Sequence, residues 1–578
     1  MVDSEYVRVA DLAGLREAGQ QVVSADGRAV ALFHHEDEVY AVDNRCPHMG
    51  FPLSKGSVED GILTCHWHHA RFELEEGDTF DIWADDVQTF PVAVEDGEVW
   101  LDPDPERDVP PETHWRNRLA DGLAENLSLV TAKAVINLDD LGEGFGTPLE
   151  TVVDFGTQYR AAGWGRGLTT MGAMANLYDE VAHEEKLRAM FVGAREVATE
   201  SAGEPPRFSQ YSLGNEDLSK ERLKAWFRET CEVRDSDGAE RCIRTAAATL
   251  PPADVAEILV AAATDHLYMN SSHTLDFLNK ALETLDHLGW EEAPDVLGST
   301  VEQLTDGSRA EEQSQWRQPV DVAGLVFDAH DRLPDLVAAG AGDSWERPDD
   351  FVETLLSDDP EAIMDAVTDA IAAGATSEQL AHAVALAATH RVAQFSTSNE
   401  FNDWNTVHHT FTYANAAHQI ARRTDAIEAY RPCLDGAMSV YLDRFLNQPA
   451  MPIPDPDDSE ADPADLREQL LETFDEQGQV QEAGRLVAEH FAAGGDPRDL
   501  KQTLARGLLR EDAGFHTLQS VEAAFARYDA GDTEWERRLP LIATARYMAA
   551  HFPTNREREQ TFTIARRLFR GEKIHEES

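Results

Sequence analysis

The sequence predicts a multidomain protein with an all-β domain at its N-terminal end and a large all-α region after it. Up to residue 101, short apolar stretches alternate with turn dipeptides; from about residue 113, apolar residues recur every three or four positions. The 578 residues exceed one ordinary domain, and a hydrophobic content of 42% is enough to build large cores. We therefore expect several structural units.

The expected β domain spans residues 1–101, and Asp26-Gly27 and Asp96-Gly97 are typical of its two-residue hairpin turns. Residues 102–112 are rich in proline and acidic side chains, which predicts a linker, because proline donates no backbone hydrogen bond and like charges repel. The predicted strands are Gln21–Val23, Ala29–Phe33, Val39–Val42, Gly61–Cys65, Val87–Val94 and Glu98–Leu101.

The helical region is expected to contain about four related units. Units 1–3 occupy residues 113–448, an acidic proline-rich linker occupies 449–465, and unit 4 occupies 466–578. The proposed starts of a matching helix lie 104, 125 and 120 residues apart, at Thr147-Pro148, Pro251-Pro252, Thr376 and Asp496-Pro497. In three units a His-Thr pair opens the next helix: His273-Thr274, His409-Thr410 and His516-Thr517.

The chain is strongly acidic, with a formal net charge of −59 and only eight lysines. Such a field repels nucleic acids and anionic lipids, so we expect neither as a partner. An acidic surface with little lysine resembles the proteins of salt-accumulating halophiles, in which high salt screens the repulsion.

Other compositional features predict a cytoplasmic location. No apolar run reaches the 18 residues that a membrane span needs, and the first residues lack the basic and apolar segments of a secretory leader. Five cysteines are too few for a disulfide scaffold in a chain of this length and indicate a reducing compartment.

Two mixed pairs of ligand residues stand out in the β domain. Cys46 and His48 are followed, after sixteen residues, by Cys65 and His68. Two thiolates on one iron and two imidazoles on the other are the ligands of a Rieske [2Fe–2S] centre. The alternative is a structural Cys₂His₂ zinc site, in which cysteines usually pair with cysteines and histidines with histidines. The mixed pairs therefore favour the cluster, one per chain.

On these residues, about 5–101 of the chain resemble Rieske ferredoxins and the Rieske domains of oxygenases. High-potential members of that family have a disulfide between the two loops, where this chain has Phe51 and Trp67. They also have a serine and a tyrosine that hydrogen-bond sulfur, where this chain has Ala70 and Phe72. The resemblance implies a potential of roughly −150 to 0 mV. His69 stands where many members have glycine.

The densest polar cluster of the helical region lies in the second and third units. If these units pack face to face, its carboxylate and imidazoles could converge and hold a second metal such as iron, manganese or zinc. The alternative is that the His-Thr pairs only cap helices, which His516 in the otherwise plain fourth unit favours. The candidate residues are Asp265, His266, His273, His390 and His409.

Other iron and redox sites fit less well. Asn402-Asp403 with His408 and His409 lacks the spacing of the mononuclear iron site in Rieske oxygenases, and Glu180 with His183 is a single Glu-x-x-His where a di-iron site needs two. Residues 370–388 resemble the helical carboxymuconolactone decarboxylase and alkyl hydroperoxidase families, but the chain has no Cys-x-x-Cys for hydroperoxidase chemistry.

We therefore expect an electron-transfer protein that delivers electrons to a redox reaction in its own helical domain. The alternative is a non-enzymatic carrier or a redox-responsive adaptor whose helical repeats dock a partner protein. The chain has no nucleotide-binding motif, so a separate reductase or small reductant is expected to supply the electrons. The sequence specifies neither the substrate nor the oligomeric state.

Overall fold

The computed structural model describes residues 6–105, 109–215 and 217–574. Its first compact unit contains the residues up to Thr151 together with those from Gln560 onward, and its second contains Val152–Glu559. The first unit thus includes helices that the sequence analysis assigned to the helical region, and the expected domain limits stay predictions. Residues 106–108 of the expected linker 102–112 lie outside the described residues, whereas the expected linker 449–465 has no helix before Pro463.

The N-terminal part of the first unit is built from β-strands, as the sequence predicts, and these strands form three antiparallel sheets. Their strand orders are β1-β9-β8, β2-β3-β4 and β5-β6-β7. The strands are β1 (Val7–Asp11), β2 (Gln20–Ala25), β3 (Arg28–His35), β4 (Glu38–Asp43), β5 (Ser57–Glu59), β6 (Ile62–Thr64), β7 (Arg71–Glu73), β8 (Val92–Glu95) and β9 (Glu98–Leu101).

The hairpin turns form where the sequence predicts them. Asp26 and Gly27 have φ angles of 47° and 77°, and both residues of the Asp96-Gly97 turn are also left-handed. This geometry matches the twist of the flanking strands. Among the described residues, the β domain contains one α-helix, α1 (Leu12–Ala18), which is capped by the Asp11 side chain through a hydrogen bond from the backbone N–H of Gly14.

In the described part of the chain, 23 α-helices follow the β domain. The first group is α2 (Pro111–Ala124), α3 (Ser128–Asp140), α4 (Gly146–Gln158), α5 (Arg166–Leu177), α6 (His183–Ser201), α7 (Lys220–Glu232), α8 (Ser236–Thr249), α9 (Pro252–Ala263), α10 (His273–Leu288), α11 (Ala293–Gly298), α12 (Glu302–Thr305) and α13 (Val322–Ala339). The second group is α14 (Phe351–Leu355), α15 (Pro360–Ala372), α16 (Ser377–Ala393), α17 (Asp403–Ala421), α18 (Arg431–Leu442), α19 (Pro463–Thr473), α20 (Val480–Ala492), α21 (Pro497–Leu509), α22 (Phe515–Ala530), α23 (Glu534–His551) and α24 (Glu557–Phe569).

Most of the predicted helix starts are confirmed. Thr376 and Gln379 form the capping box of α16, each side chain bonding the other's backbone N–H, and Asp496 caps α21 just before Pro497. The exception is His409, which was expected to open its helix but lies inside α17. That helix begins earlier, at Asp403, where a carboxylate in the first turn is favourable.

Four helices of the second unit, α5, α10, α17 and α22, contact one another in a closed ring. They run in the same direction, because the first residues of α5, α10 and α22 lie at the level of His409 in the first half of α17, and later residues of all four helices meet at another level. The contacts at the first level are His273–His516, His409–His516 and Arg166–Phe515; those at the second are Lys280–Glu522, Asn176–Glu522 and His418–Arg527. Whether the four units are related copies stays a prediction. Among the described helices, none combines the length and apolar character needed to cross a membrane.

Candidate functional site

The first candidate ligand loop follows β4. The backbone N–H of Cys46 donates to the Phe51 carbonyl at 2.8 Å, and the N–H of Gly50 donates to the Cys46 carbonyl, also at 2.8 Å. The end of α24 contacts this loop. A β-carbon at position 50 would lie 3.2 Å from Leu568 Cδ2, and the Arg45 guanidinium donates to the Glu572 carbonyl. A helix near the C-terminal end of the described residues therefore packs on this loop, which lies in their N-terminal part.

The second candidate ligand loop, between β6 and β7, repeats this geometry. The backbone N–H of Cys65 donates to the Ala70 carbonyl at 2.8 Å, and the N–H of His69 donates to the Cys65 carbonyl at 3.0 Å. The two loops are therefore matched turns, each holding one cysteine at the same position.

The two loops bring two thiols and two imidazoles together. Cys46 and Cys65 are 2% and 1% exposed. The rings of His48 and His68 lie 4.9 Å apart, at 80° to each other. The Nδ1 atom of His48 is buried and has no hydrogen-bond partner among the described residues. A buried imidazole nitrogen without a partner fits a metal ligand, and two sulfur plus two nitrogen donors fit a Rieske cluster.

The electrostatics of these side chains also suit metal binding. A hydrogen bond between the two thiols lowers the pKa of Cys65 to about 6 and raises that of Cys46. Burial, with smaller contributions from Lys133 and His68, lowers the pKa of His48 to about 4. These shifts favour a thiolate at Cys65 and a neutral imidazole at His48, the forms in which both residues bind metals.

Lys133, on α3, is a residue that the sequence analysis missed. Its ammonium donates to the backbone carbonyls of Pro47 and His48, each at 2.6 Å. Burial lowers the pKa of Lys133 to about 8. The contact fixes the first loop and places a cation beside the candidate ligands. Its only signal in the sequence is the rarity of lysine, because nothing local links it to a loop 85 residues away.

Aromatic and apolar side chains surround the four candidate ligands. Trp83 packs edge-on against His48 at 4.6 Å between centroids, and Trp67 lies 4.4 Å from His68. Ala70 and Phe72 are fully buried, and neither carries a hydroxyl group. His68, in contrast, is exposed to solvent. The low reduction potential expected from these positions stays a prediction.

His69 adopts a backbone conformation that favours glycine. Its φ is 64°, and Gly50, at the matching position of the first loop, has a φ of 78°. The glycine that many Rieske proteins have here is therefore explained by the turn. A residue with a β-carbon is strained in the left-handed region by roughly 1–2 kcal/mol.

The change His69→Gly is expected to stabilise the first unit by about 1 kcal/mol, because it relieves this strain. The measurement is the temperature at which the visible absorption of the purified protein is lost on heating. The matched control is His66→Gly in the same loop, because the φ of His66 is not positive and the change relieves no strain there. Equal transition temperatures for both variants would contradict the explanation.

Comparison with known proteins agrees with this geometry. Residues 5–91 match the Rieske [2Fe-2S] domain family. The chain is 39% identical over 74 residues to the 3-phenylpropionate/cinnamic acid dioxygenase ferredoxin subunit of Photorhabdus laumondii, covering 12% of this chain and 70% of that protein. It is 34% identical over 104 residues to the ferredoxin component of the alkene monooxygenase system of Xanthobacter autotrophicus, covering 18% of this chain and 85% of that protein. The chain belongs to the Rieske [2Fe–2S] family.

The chain also matches solved structures over part of its length. The ferredoxin of carbazole 1,9a-dioxygenase from Nocardioides aromaticivorans IC177 is 27% identical, with a TM-score of 0.17, and the match covers 17% of this chain and 98% of that one. The family match indicates one [2Fe–2S] cluster and an electron-transfer role for the Rieske domain. These matches cover less than a fifth of the chain, so they do not describe the helical region.

Three of the five candidates in the helical region lie apart from the others. The Asp265 carboxylate is paired with Arg228 at 2.7 Å and with Arg431 at 3.3 Å. His266 bonds two carboxylates, and although burial opposes it, these hydrogen bonds raise the pKa of His266. The His390 ring packs beside Trp535. The structure thus does not bring Asp265, His266 and His390 into one cluster, because nearby charged or aromatic side chains already engage them.

The other two candidates do converge, and His516 joins them. The ring centroids of His273 and His409 lie 4.6 Å apart, and the Nε2 atoms of His409 and His516 lie 3.0 Å apart. One nitrogen from each of these three residues, here called the histidine triad, lies within 4.8 Å of the other two. In the sequence, the position of His516 in an otherwise plain fourth unit favours a capping role. The repeated His-Thr pair was nevertheless the signal that linked it to the other two histidines.

The triad is half-buried, and its charge state follows from its surroundings. Burial lowers the pKa of His273 to about 2, of His409 to about 4 and of His516 to about 3, with Arg166 adding to the effect on all three. Behind the triad, His408 is 1% exposed, and burial lowers its pKa as well. All four imidazoles are therefore neutral near neutral pH.

Proposed function

We propose that Cys46, His48, Cys65 and His68 hold the [2Fe–2S] cluster of the Rieske domain and that the protein carries single electrons through it at low potential. The observation that carries this proposal is the pair of matched loops, which aim two buried thiols and two imidazoles at one another. When bound, the cluster supplies one-electron transfer.

The side chains around that cluster would have distinct roles. The two cysteines bind from the buried side, Lys133 holds the backbone of the first loop, and the exposed His68 gives a partner protein access to one ligand. A ligand at the surface shortens the path over which an electron passes to or from a partner. A separate reductase or small reductant would supply the electrons.

The test is electron paramagnetic resonance of the reduced protein. We expect a rhombic signal with a mean g value near about 1.9, which is typical of mixed nitrogen and sulfur ligation. His48→Ala and His68→Ala should abolish or convert the signal. His66→Ala and His69→Ala, in the second loop but outside the ligand set, should keep it. A colourless protein that contains one zinc per chain would contradict the assignment.

We further propose that the electrons serve a redox reaction in the helical region, which would make the protein an oxidoreductase. The histidine triad supports this proposal, because polar side chains that could act on a substrate converge there. The test is anaerobic reduction followed by exposure to candidate oxidants and organic substrates. Reoxidation of the cluster that depends on a substrate and is lost in His409→Gln supports the reaction. Reoxidation only by an added partner protein would favour the carrier or adaptor alternative.

A further inference from the structure

We propose that His273, His409 and His516 form a binding site for a divalent first-row transition metal such as iron(II) or zinc(II), with a coordination position left open for an anionic group. This gives the proposed reaction of the helical region a metal centre. It rests on the proposed function for the use of the metal, but not for metal binding itself.

The distances in the triad are close to those of a three-histidine metal site. Two nitrogens bound at about 2.1 Å lie about 3.0 Å apart when they subtend a right angle at the metal, and no more than about 4.2 Å apart at any angle. The Nε2 atoms of His409 and His516 are already 3.0 Å apart. All three nitrogens lie within 4.8 Å of one another, and tetrahedral ligation places nitrogens about 3.4 Å apart, so a metal would close any pair of the triad by at most about 1.4 Å. Imidazole is a preferred ligand of iron, zinc and copper.

Hydrogen bonds within the described residues do not satisfy all the ring nitrogens of the triad and of its neighbour His408. His409 and His516 share one contact through their Nε2 atoms. Nδ1 of His273 is buried and finds no partner in the described parts of the chain. Both ring nitrogens of the neighbouring His408 are likewise buried and without one. Buried polar atoms without partners are rare and indicate a bound group or strain.

The segment before His273 is held in an unfavourable conformation. Asn270, Ser271 and Ser272 have φ angles of 51°, 55° and 94°. The Asn270 amide donates to the Thr274 hydroxyl at 2.9 Å and accepts from the backbone N–H of Ser308. Left-handed residues other than glycine cost about 1–3 kcal/mol each and cluster at functional sites. The left-handed run ends directly before His273, the first residue of α10, so the strained segment lies next to the triad.

Buried polar contacts hold α10 and α22 in register below the triad. Asp276 and Gln519, each three residues after a triad histidine, are bonded to each other at 2.5 Å. One level further, the Lys280 ammonium bonds Glu283 and Glu522, each at 2.7 Å. Because these contacts connect α10 with α22, they hold His273 and His516 at fixed positions relative to each other.

The charge beside the triad indicates what would complete the site. Arg166 lies on the Phe515 ring, 5.9 Å from its centroid, and the same ring contacts His273. A guanidinium disfavours a bare metal cation and favours one that also binds an anion. The open position is therefore suited to an anionic ligand, such as a carboxylate of a substrate.

The test is zinc binding by the full-length protein, with the cluster in place and formate present as the anion. After removal of loosely bound metal, we expect one zinc per chain in addition to the cluster irons. His409→Gln and His516→Gln should each weaken zinc binding by at least about 100-fold, and His516→Asp, which keeps a ligand atom, should recover part of it. The matched controls are His390→Gln and His266→Gln, which should bind zinc as the wild type does. Circular dichroism reports whether each variant folds.

The two proposals can fail separately. If wild-type protein takes up neither zinc nor iron(II) beyond the cluster irons, or if the triad variants and the controls bind zinc equally, the metal site is overturned even when the Rieske signal is present. Zinc binding that is lost only in the triad variants supports the site, even if the cluster assignment fails.

Discussion

Raising the salt concentration from about 0.05 M to 2 M is expected to raise the unfolding temperature by on the order of 10 °C or more. With 108 acidic and 49 basic side chains, many carboxylates have no cation of their own, and their mutual repulsion opposes the compact state. The Debye length falls from about 30 Å at 0.01 M to about 3 Å at 1 M, so salt removes that repulsion. The measurement is thermal unfolding by circular dichroism at increasing potassium chloride.

The control separates screening from a general osmotic effect. Sodium chloride should act like potassium chloride at equal ionic strength, whereas sorbitol at equal osmolality should give a smaller rise. A flat profile over this range would mean that the acidic surface does not limit stability, and the likeness to halophile proteins would then be compositional only.

Acid is expected to destabilise the second unit, and His418 is one identified cause. The Arg527 guanidinium donates to Nδ1 of His418 at 2.6 Å, so this imidazole must stay neutral. Burial, followed by the charge of Arg527, lowers the pKa of His418 to about 2. Below pH 6.5, His418 therefore binds a proton in the unfolded chain but not in the folded chain. The contribution of His418 to stability is fully present well above pH 6.5 and falls by about 1.4 kcal/mol per pH unit below it, down to the folded pKa of about 2.

The variant His418→Gln isolates this contribution, because an amide oxygen can still accept from Arg527 but does not titrate. Between pH 6.5 and 4.5, the free energy of unfolding of the wild type should fall by about 2 kcal/mol more than that of the variant. Asp276 and Asp443, whose pKa values burial raises to about 7, act in the opposite direction in both proteins. The difference between the two profiles is therefore the quantity to measure. Parallel profiles would rule out His418 as a cause.

Local patterns account for what could be predicted from the sequence. The Asp-Gly hairpin turns and the capping box at Thr376 are decided by residues a few positions apart, and they appear where expected. The four candidate cluster ligands form two short motifs of the same kind. Their pairing needs only that two neighbouring loops meet, which a small antiparallel domain provides.

Contacts between distant parts of the chain account for what was missed. Lys133 reaches the first ligand loop from a helix that no motif connects to it. Asp265 and His273 are close in sequence, yet Arg228 and Arg431 hold the carboxylate while the imidazole enters the triad. Which side chains of a helical region meet depends on helix packing, and spacing along the chain does not determine it.

The contact of α24 with the first ligand loop has a consequence for the order of synthesis. Leu568 follows Gly50 by 518 residues, which a ribosome adds in between about 25 and 100 s at about 5–20 residues per second. During that interval the loop around Cys46 exists without the helix end that packs on it. Until α24 has been synthesised, the delivery of iron and sulfide would therefore meet an incomplete pocket. We expect maturation of the metal centre to follow the synthesis of α24.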